Sequence, residues 1–151
     1  MTLSCSVKKL CLIKLRSYSE RAHFNRLVIV PVNWDENKIR DYVDKSVNAI
    51  EIEVVLHTYE EVYILDASLE EVQMNDANRL EHFWNDAKEY FVEVSQRNKT
   101  INFVVIAGLS TEEEDILKLF YKKYKNEKIT VDHVFDCWII KENSIASFSG
   151  G

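Results

Sequence analysis

Apolar residues along this chain gather into short runs separated by polar stretches, and the runs alternate between two periods. Runs suited to buried strands lie at residues 10–15 (LCLIKL), 26–32 (RLVIVPV), 50–56 (IEIEVVL), 61–67 (EVYILDA) and 101–107 (INFVVIA). Between them, residues 34–50 place Ile39, Val43 and Val47 four apart, with Asp35 available to cap the first turn, which predicts a helix. Residues 75–94 put Leu80, Phe83, Trp84, Ala87 and Phe91 on one helical face, although Tyr90, Val92 and Val94 alternate as a strand would. Residues 110–124 open with Ser110 and Glu113 in capping-box spacing and carry a stripe of Ile116, Leu117, Phe120 and Tyr124, a third helix. Two stretches, 26–55 and 102–131, share the order strand, polar turn, helix, strand; that order reads as common α/β grammar before it reads as a repeat.

Composition changes the picture chiefly by exclusion. Of 151 residues, 46% are hydrophobic and 29% charged, the balance of a soluble globular chain. No window reaches the ~18 uninterrupted apolar residues of a membrane span. The first twenty residues make a poor signal peptide, and three cysteines without a CxxC pair point to reduced thiols, so an intracellular, reducing home is expected. A net charge of −6 disfavours proteins that live by neutralising phosphates, and nucleic-acid binding is expected to be weak or indirect. The local exception, residues 118–128 (KLFYKKYKNEK), reads as a solvated helix face with Phe120 and Tyr124 turned inward.

Candidate chemistry is sparse. The only proline is Pro31 and the only internal glycine is Gly108, so neither GxxxxGK[ST] nor GxGxxG occurs and no phosphate cradle is available. Asp66, at the end of an apolar strand, reads as a cap or turn residue. His23, His57, His82 and His133 show no HxxxH or HExxH spacing, and neither a metal nor any other cofactor is expected. Residues 128–143 (KITVDHVFDCWIIKEN) pose the one sharp question. Cys137 would be a nucleophile only if His133, four residues earlier, shared its face on a helix. The surrounding Val134, Phe135, Trp138 and Ile139 read instead as packing, and Asp132 and Asp136 as capping and surface charges.

This last segment carries a family resemblance. In residues 129–145 a short strand, Thr130, an acidic residue, an apolar pair, Asp136 and Cys137 follow one another much as they do at the end of a BRCT domain. Read backwards, residues 110–124 resemble that family's second helix, 99–107 its third strand, 89–95 its second strand, 76–88 its first helix and 60–68 its first strand. The chain departs from the family pattern where "KEY" replaces a Gly-Gly pair and His133 replaces the usual tryptophan. The resemblance implies an α/β fold: a BRCT-like three-layer domain at 60–151, with a small central parallel sheet flanked by helices, and an N-terminal α/β segment at 1–59. That segment is either a degenerate partner unit or part of one larger sheet. Thr130, His133, Phe135, Asp136, Cys137 and Trp138 would form the structural signature, with Phe135 or Trp138 inward on a final helix.

The function implied is a non-enzymatic protein–protein interaction module of the kind that scaffolds DNA repair, replication or checkpoint complexes, nuclear, with other proteins as partners. By position Ser68 matches a phosphate-gripping residue of phosphopeptide-reading members. Lys118 is the nearest lysine to their second contact but lies a turn late, behind the acidic residues 112–115. The alternative is one doubly wound sheet, resembling a P-loop NTPase core without its phosphate loop and serving as a subunit of a larger assembly. In it residues 132–140 form a central strand.

Overall fold

The computed structural model describes residues 3–17, 24–47, 49–65, 84–125 and 127–141. Within them the chain runs β1 (Leu3–Ser17), β2 (Phe24–Pro31), α1 (Glu36–Val47), β3 (Ala49–Leu65), β4 (Trp84–Gln96), β5 (Lys99–Gly108), α2 (Glu113–Lys123) and β6 (Lys128–Ile140). The six strands close into a barrel in the order β1-β2-β6-β4-β5-β3. β2–β6 and β5–β3 are parallel pairs and the other four are antiparallel. A closed, mixed barrel with two outer helices replaces the helix-flanked, three-layer BRCT-like α/β domain expected above.

The apolar runs at 27–31 and 103–107 are unbroken because both faces of β2 and β5 are covered there. Alternate residues point inward, where Leu10, Ile29, Val62, Ile64, Ala87, Ile106, Cys137 and Ile139 pack together as the barrel interior. Residues one step out of phase face outward under the helices. Cys11, Ile13, Leu15, Val28, Val30, Trp84, Trp138 and Ile140 lie against Trp34, Ile39, Tyr42 and Val43 of the α1 side. Leu65, Tyr90, Val92, Val94, Phe103, Val105, Ala107 and Ile129 lie against Ile116 and Phe120 of α2. Three cores, one inside and two outside, therefore hold the six strands.

The two halves follow one path. β1-β2-α1-β3 and β4-β5-α2-β6 each run strand, antiparallel strand, helix, strand, and each helix crosses from β2 or β5 to a strand on the far side of its own first strand. Leu27 pairs with Cys137 and Ile29 with Ile139; in the other half Val104 pairs with Val62 and Ile106 with Ile64. The turns into the helices match as well: Trp34 N–H donates to Pro31 O, and Thr111 N–H to Gly108 O. Lys9 Nζ donates to the Trp34 carbonyl, and Lys88 Nζ donates to the Thr111 carbonyl at 3.4 Å. The echo read above as ordinary α/β grammar is thus a structural repeat.

Several expected elements change. Residues 50–56 and 61–67 were expected as two strands; through residue 65 they belong to a single strand, β3. It is interrupted only by small register shifts, one of which leaves Val55 with no residue opposite on β1. Residues 84–88, expected as the end of a helix, are strand, because β4 has β5 on one side and β6 on the other and satisfying two ladders outweighs the helical spacing; 89–95 is strand as expected, and residues 75–83 of the expected helix lie outside the described residues. Residues 128–140 are likewise strand, which removes the final helix of the BRCT-like expectation. Their β-branched and aromatic content suits a half-buried pleat. The helices at 36–47 and 113–123 stand where expected. Asp35 caps the first through Lys38 N–H at 2.8 Å. The second is boxed by Glu112 and Asp115, not by Ser110 and Glu113: the Glu112 N–H donates to Asp115 Oδ2 at 3.0 Å.

Candidate interaction surface

The signature segment is organised by a bulge. Glu89 pairs with Phe135 and Tyr90 with His133, so Val134 has no residue opposite it on β4. On a regular strand, residues three apart face opposite sides; the extra residue brings His133 and Asp136 to the same outer face. His133 Nε2 then lies 3.1 Å from Asp136 Oδ1, and the imidazole sits 5.5 Å from the Tyr90 ring. The same parity change sends Cys137 inward. Its thiol is pushed up by burial first and by Glu89 next, so it is a poor thiolate and faces away from its expected base.

The other singled-out residues scatter. Trp138 packs under α1, 5.9 Å from Trp84, with the Arg26 guanidinium 4.9 Å from its ring centroid. Phe135 is 55% exposed. Thr130 is exposed opposite Glu93. Lys118 is exposed on α2, while Phe120 is buried and stacks on Tyr124, as expected for a solvated helix face. Ser68 and Asp66 lie outside the described residues. Lys118 and Thr130 form no common site with the buried Cys137 and Trp138. No group of three or more metal-ligating side chains occurs among the described residues.

What the sequence reading missed is the open margin of the barrel. β3 is paired to β1 along its length, but to β5 only at Val62, Tyr63 and Ile64. Among the described residues, the β5-facing edge of β3 before Val62 therefore has no strand beside it. The facing edge of β5 from Lys99 to Phe103 has none either, since β5 pairs there with β4 alone. Among the described residues, two unpaired strand edges therefore flank a cleft. Large apolar side chains stand exposed along it: Val55 at the bulge, Leu56 at 59% and Tyr59 at 59%. The repeat produces a second instance, because β6 meets β2 only at 137–139 and exposes Val134 and Phe135 beside its own bulge.

Charge marks the first cleft. β3 carries Glu51, Glu53, Glu60 and Glu61 and no lysine, arginine or proline, so it lacks two common means of blunting a sheet edge. On β1, Arg16 bonds Glu51 at 3.2 Å, while Lys14 and Lys8 stand opposite Glu53 and Glu60. Glu60 and Glu89 are in phase with the inward-facing Val62 and Ala87. Glu89 has only Ile106 and Phe135 opposite it. Burial pushes its carboxyl up to about 6, with Glu60 adding to the shift.

Compared with known proteins, the chain matches no family model, no curated protein and no solved structure.

Proposed function

We propose that this chain is a non-enzymatic protein–protein interaction module that accepts an extended segment of a partner by strand addition at the margin of its barrel. The observation that carries the reading is the β3 edge left unpaired among the described residues, with Val55, Leu56 and Tyr59 exposed along it. Backbone groups on such an edge bind another strand, and alternate side chains confer selectivity. The inward, high-pKa Cys137 supports a role without cysteine chemistry. Nuclear location and a place in repair, replication or checkpoint complexes rest on the resemblance of residues 129–145 alone and form no part of this proposal.

The test compares affinity purification by the parent chain with that by a Leu56→Lys/Tyr59→Lys variant, with crosslinks mapped onto the chain. Both side chains are exposed, so the variant keeps its fold, and lysines are a common guard of sheet edges. The expected result is loss of the co-purifying proteins that crosslink to residues 49–61. Retention of the same partners by the variant would overturn the reading.

A further inference from the structure

We infer that the outer face of α2 is a second docking surface, one that takes a short acidic segment of a partner protein with an apolar side chain among its carboxylates. The inference is independent of strand addition at the β3 margin. α2 turns Ile116 and Phe120 to the barrel and leaves Lys118 and Lys122, four apart, on its outward side. These two, with Lys125 just past the helix end, line a hollow of about 620 Å³ together with Asp115, Leu119 and Tyr121. All three lysines are exposed, and among the described residues none of them forms an ion pair. Asp115, the one acid in the lining, is engaged in the helix cap, where its Oδ2 accepts the Glu112 N–H. The repeat supplies a contrast. On α1, the matching helix, Arg40 bonds Glu36 at 3.2 Å and Lys38 lies 5.0 Å from the Trp34 ring centroid, so those cations are occupied within the chain. Attraction to the helix C-terminus accounts for Lys122, in the last turn of α2, but not for Lys118 a turn earlier or Lys125 beyond the end.

The surroundings of the lysines choose the anion. Tyr121, 43% exposed, and Leu119 add apolar surface to the hollow, which an anchoring side chain covers and a bare phosphate does not. Glu113 and Glu114 stand at the start of the same helix, about 6–8 Å along its axis from Lys118. A nucleic-acid strand running past the lysines lays phosphates on those carboxylates and on a chain of net charge −6. A peptide instead confines its acids to a block the length of the patch and stays neutral beyond it. Its carboxylates accept charge-assisted hydrogen bonds from the ammonium groups, while the lysine stems pack over the anchoring side chain.

The experiment titrates the full chain into labelled peptides of about ten residues that carry Glu on both sides of one Phe, with Ser and Gly elsewhere, read by fluorescence anisotropy at physiological salt. Companion peptides have Gln for Glu or Ser for Phe, a labelled oligothymidylate of about the same length supplies the phosphate chain, and backbone amide shifts locate the site. The Glu peptide is expected to bind roughly tenfold or more tighter than the Gln peptide, a difference of about 1.4 kcal/mol, and tighter than the Ser peptide and the oligonucleotide. Shifts should fall at 115–125. Lys118→Gln/Lys122→Gln should hold the Glu peptide no better than the Gln one, whereas Lys38→Gln/Lys45→Gln, the same charge change on α1, should leave its binding unchanged. Equal affinity for the Glu and Gln peptides, or equal weakening by the two variants, overturns the inference, since the lysines of α2 then do nothing particular. Equal affinity for the Phe and Ser peptides overturns the apolar anchor. Oligothymidylate binding at 115–125 as tightly as the Glu peptide overturns the peptide partner in favour of a phosphate chain. Shifts from the Glu peptide at 55–61 alone overturn the α2 surface and leave strand addition standing.

Discussion

Trp138 and Phe135, three residues apart, should respond very differently to truncation. On a helix they would share a face, and both would belong to the core. On β6, Trp138 points outward under α1, where it is 3% exposed and packs against Trp84, while Phe135 lies beside the bulge at 55% exposure. Trp138→Ala removes a buried indole and leaves a cavity, which costs about 3–5 kcal/mol. That is a large part of the ~5–15 kcal/mol that holds a domain together. Phe135→Ala removes a mostly solvated ring and should stay within about 0.5 kcal/mol. In a urea titration with a slope of roughly 2 kcal/mol/M, a loss of about 4 kcal/mol moves the midpoint by about 2 M, and the Phe135 variant should barely move it. Equal losses for the two variants would refute the strand assignment and, with it, the bulge that organises the segment.

Glu89→Gln should stabilise the protein near pH 7 by about 1 kcal/mol, after allowance for solvent screening at a partly exposed carboxylate. Its carboxyl is raised from 4.5 to about 6 in the folded chain, so its favourable contribution is complete below about pH 4.5 and lost as the pH rises through about 6. Urea titrations at pH 4 and 7 should accordingly show a smaller gap at pH 4, and a gap that widens on acidification would contradict this. Thiol labelling of the native chain should modify Cys5, which is exposed, well before the buried Cys11 and Cys137. Burial pushes the Cys11 thiol up to about 11 and raises Cys137 as well, and both should label only on unfolding; rapid native labelling of Cys137 would place it outside the barrel.

The local pattern of the sequence determined where order lies and which surfaces are buried. Residues 27–31 and 103–107 are apolar on every position because β2 and β5 have the barrel interior on one face and a helix on the other. The helices at 36–47 and 113–123 were legible from their spacing, and the first also from Asp35 at its cap, since capping and amphipathicity are settled within a few residues; the cap of the second falls two residues later than the Ser110 expected. The repeated strand, turn, helix, strand order was visible too, though spacing alone did not tell repetition from habit.

Tertiary structure decided the rest, because it depends on partners distant in the chain. Residues 84–88 and 132–140 satisfy a helical reading until β4 and β6 pair with each other over twelve residue pairs, from Trp84–Ile140 to Ser95–Lys128. Barrel closure likewise depends on the two three-residue parallel ladders, Leu27–Ile29 with Cys137–Ile139 and Val62–Ile64 with Val104–Ile106. The candidate site was the least legible part. Neither Val55 nor Val134 announces a bulge, yet the one at Val134 turns Cys137 away from His133, and both leave apolar side chains exposed on an unpaired edge. A strand edge is defined by the absence of a neighbour, and the neighbours of a strand are chosen by the whole fold rather than by its own residues.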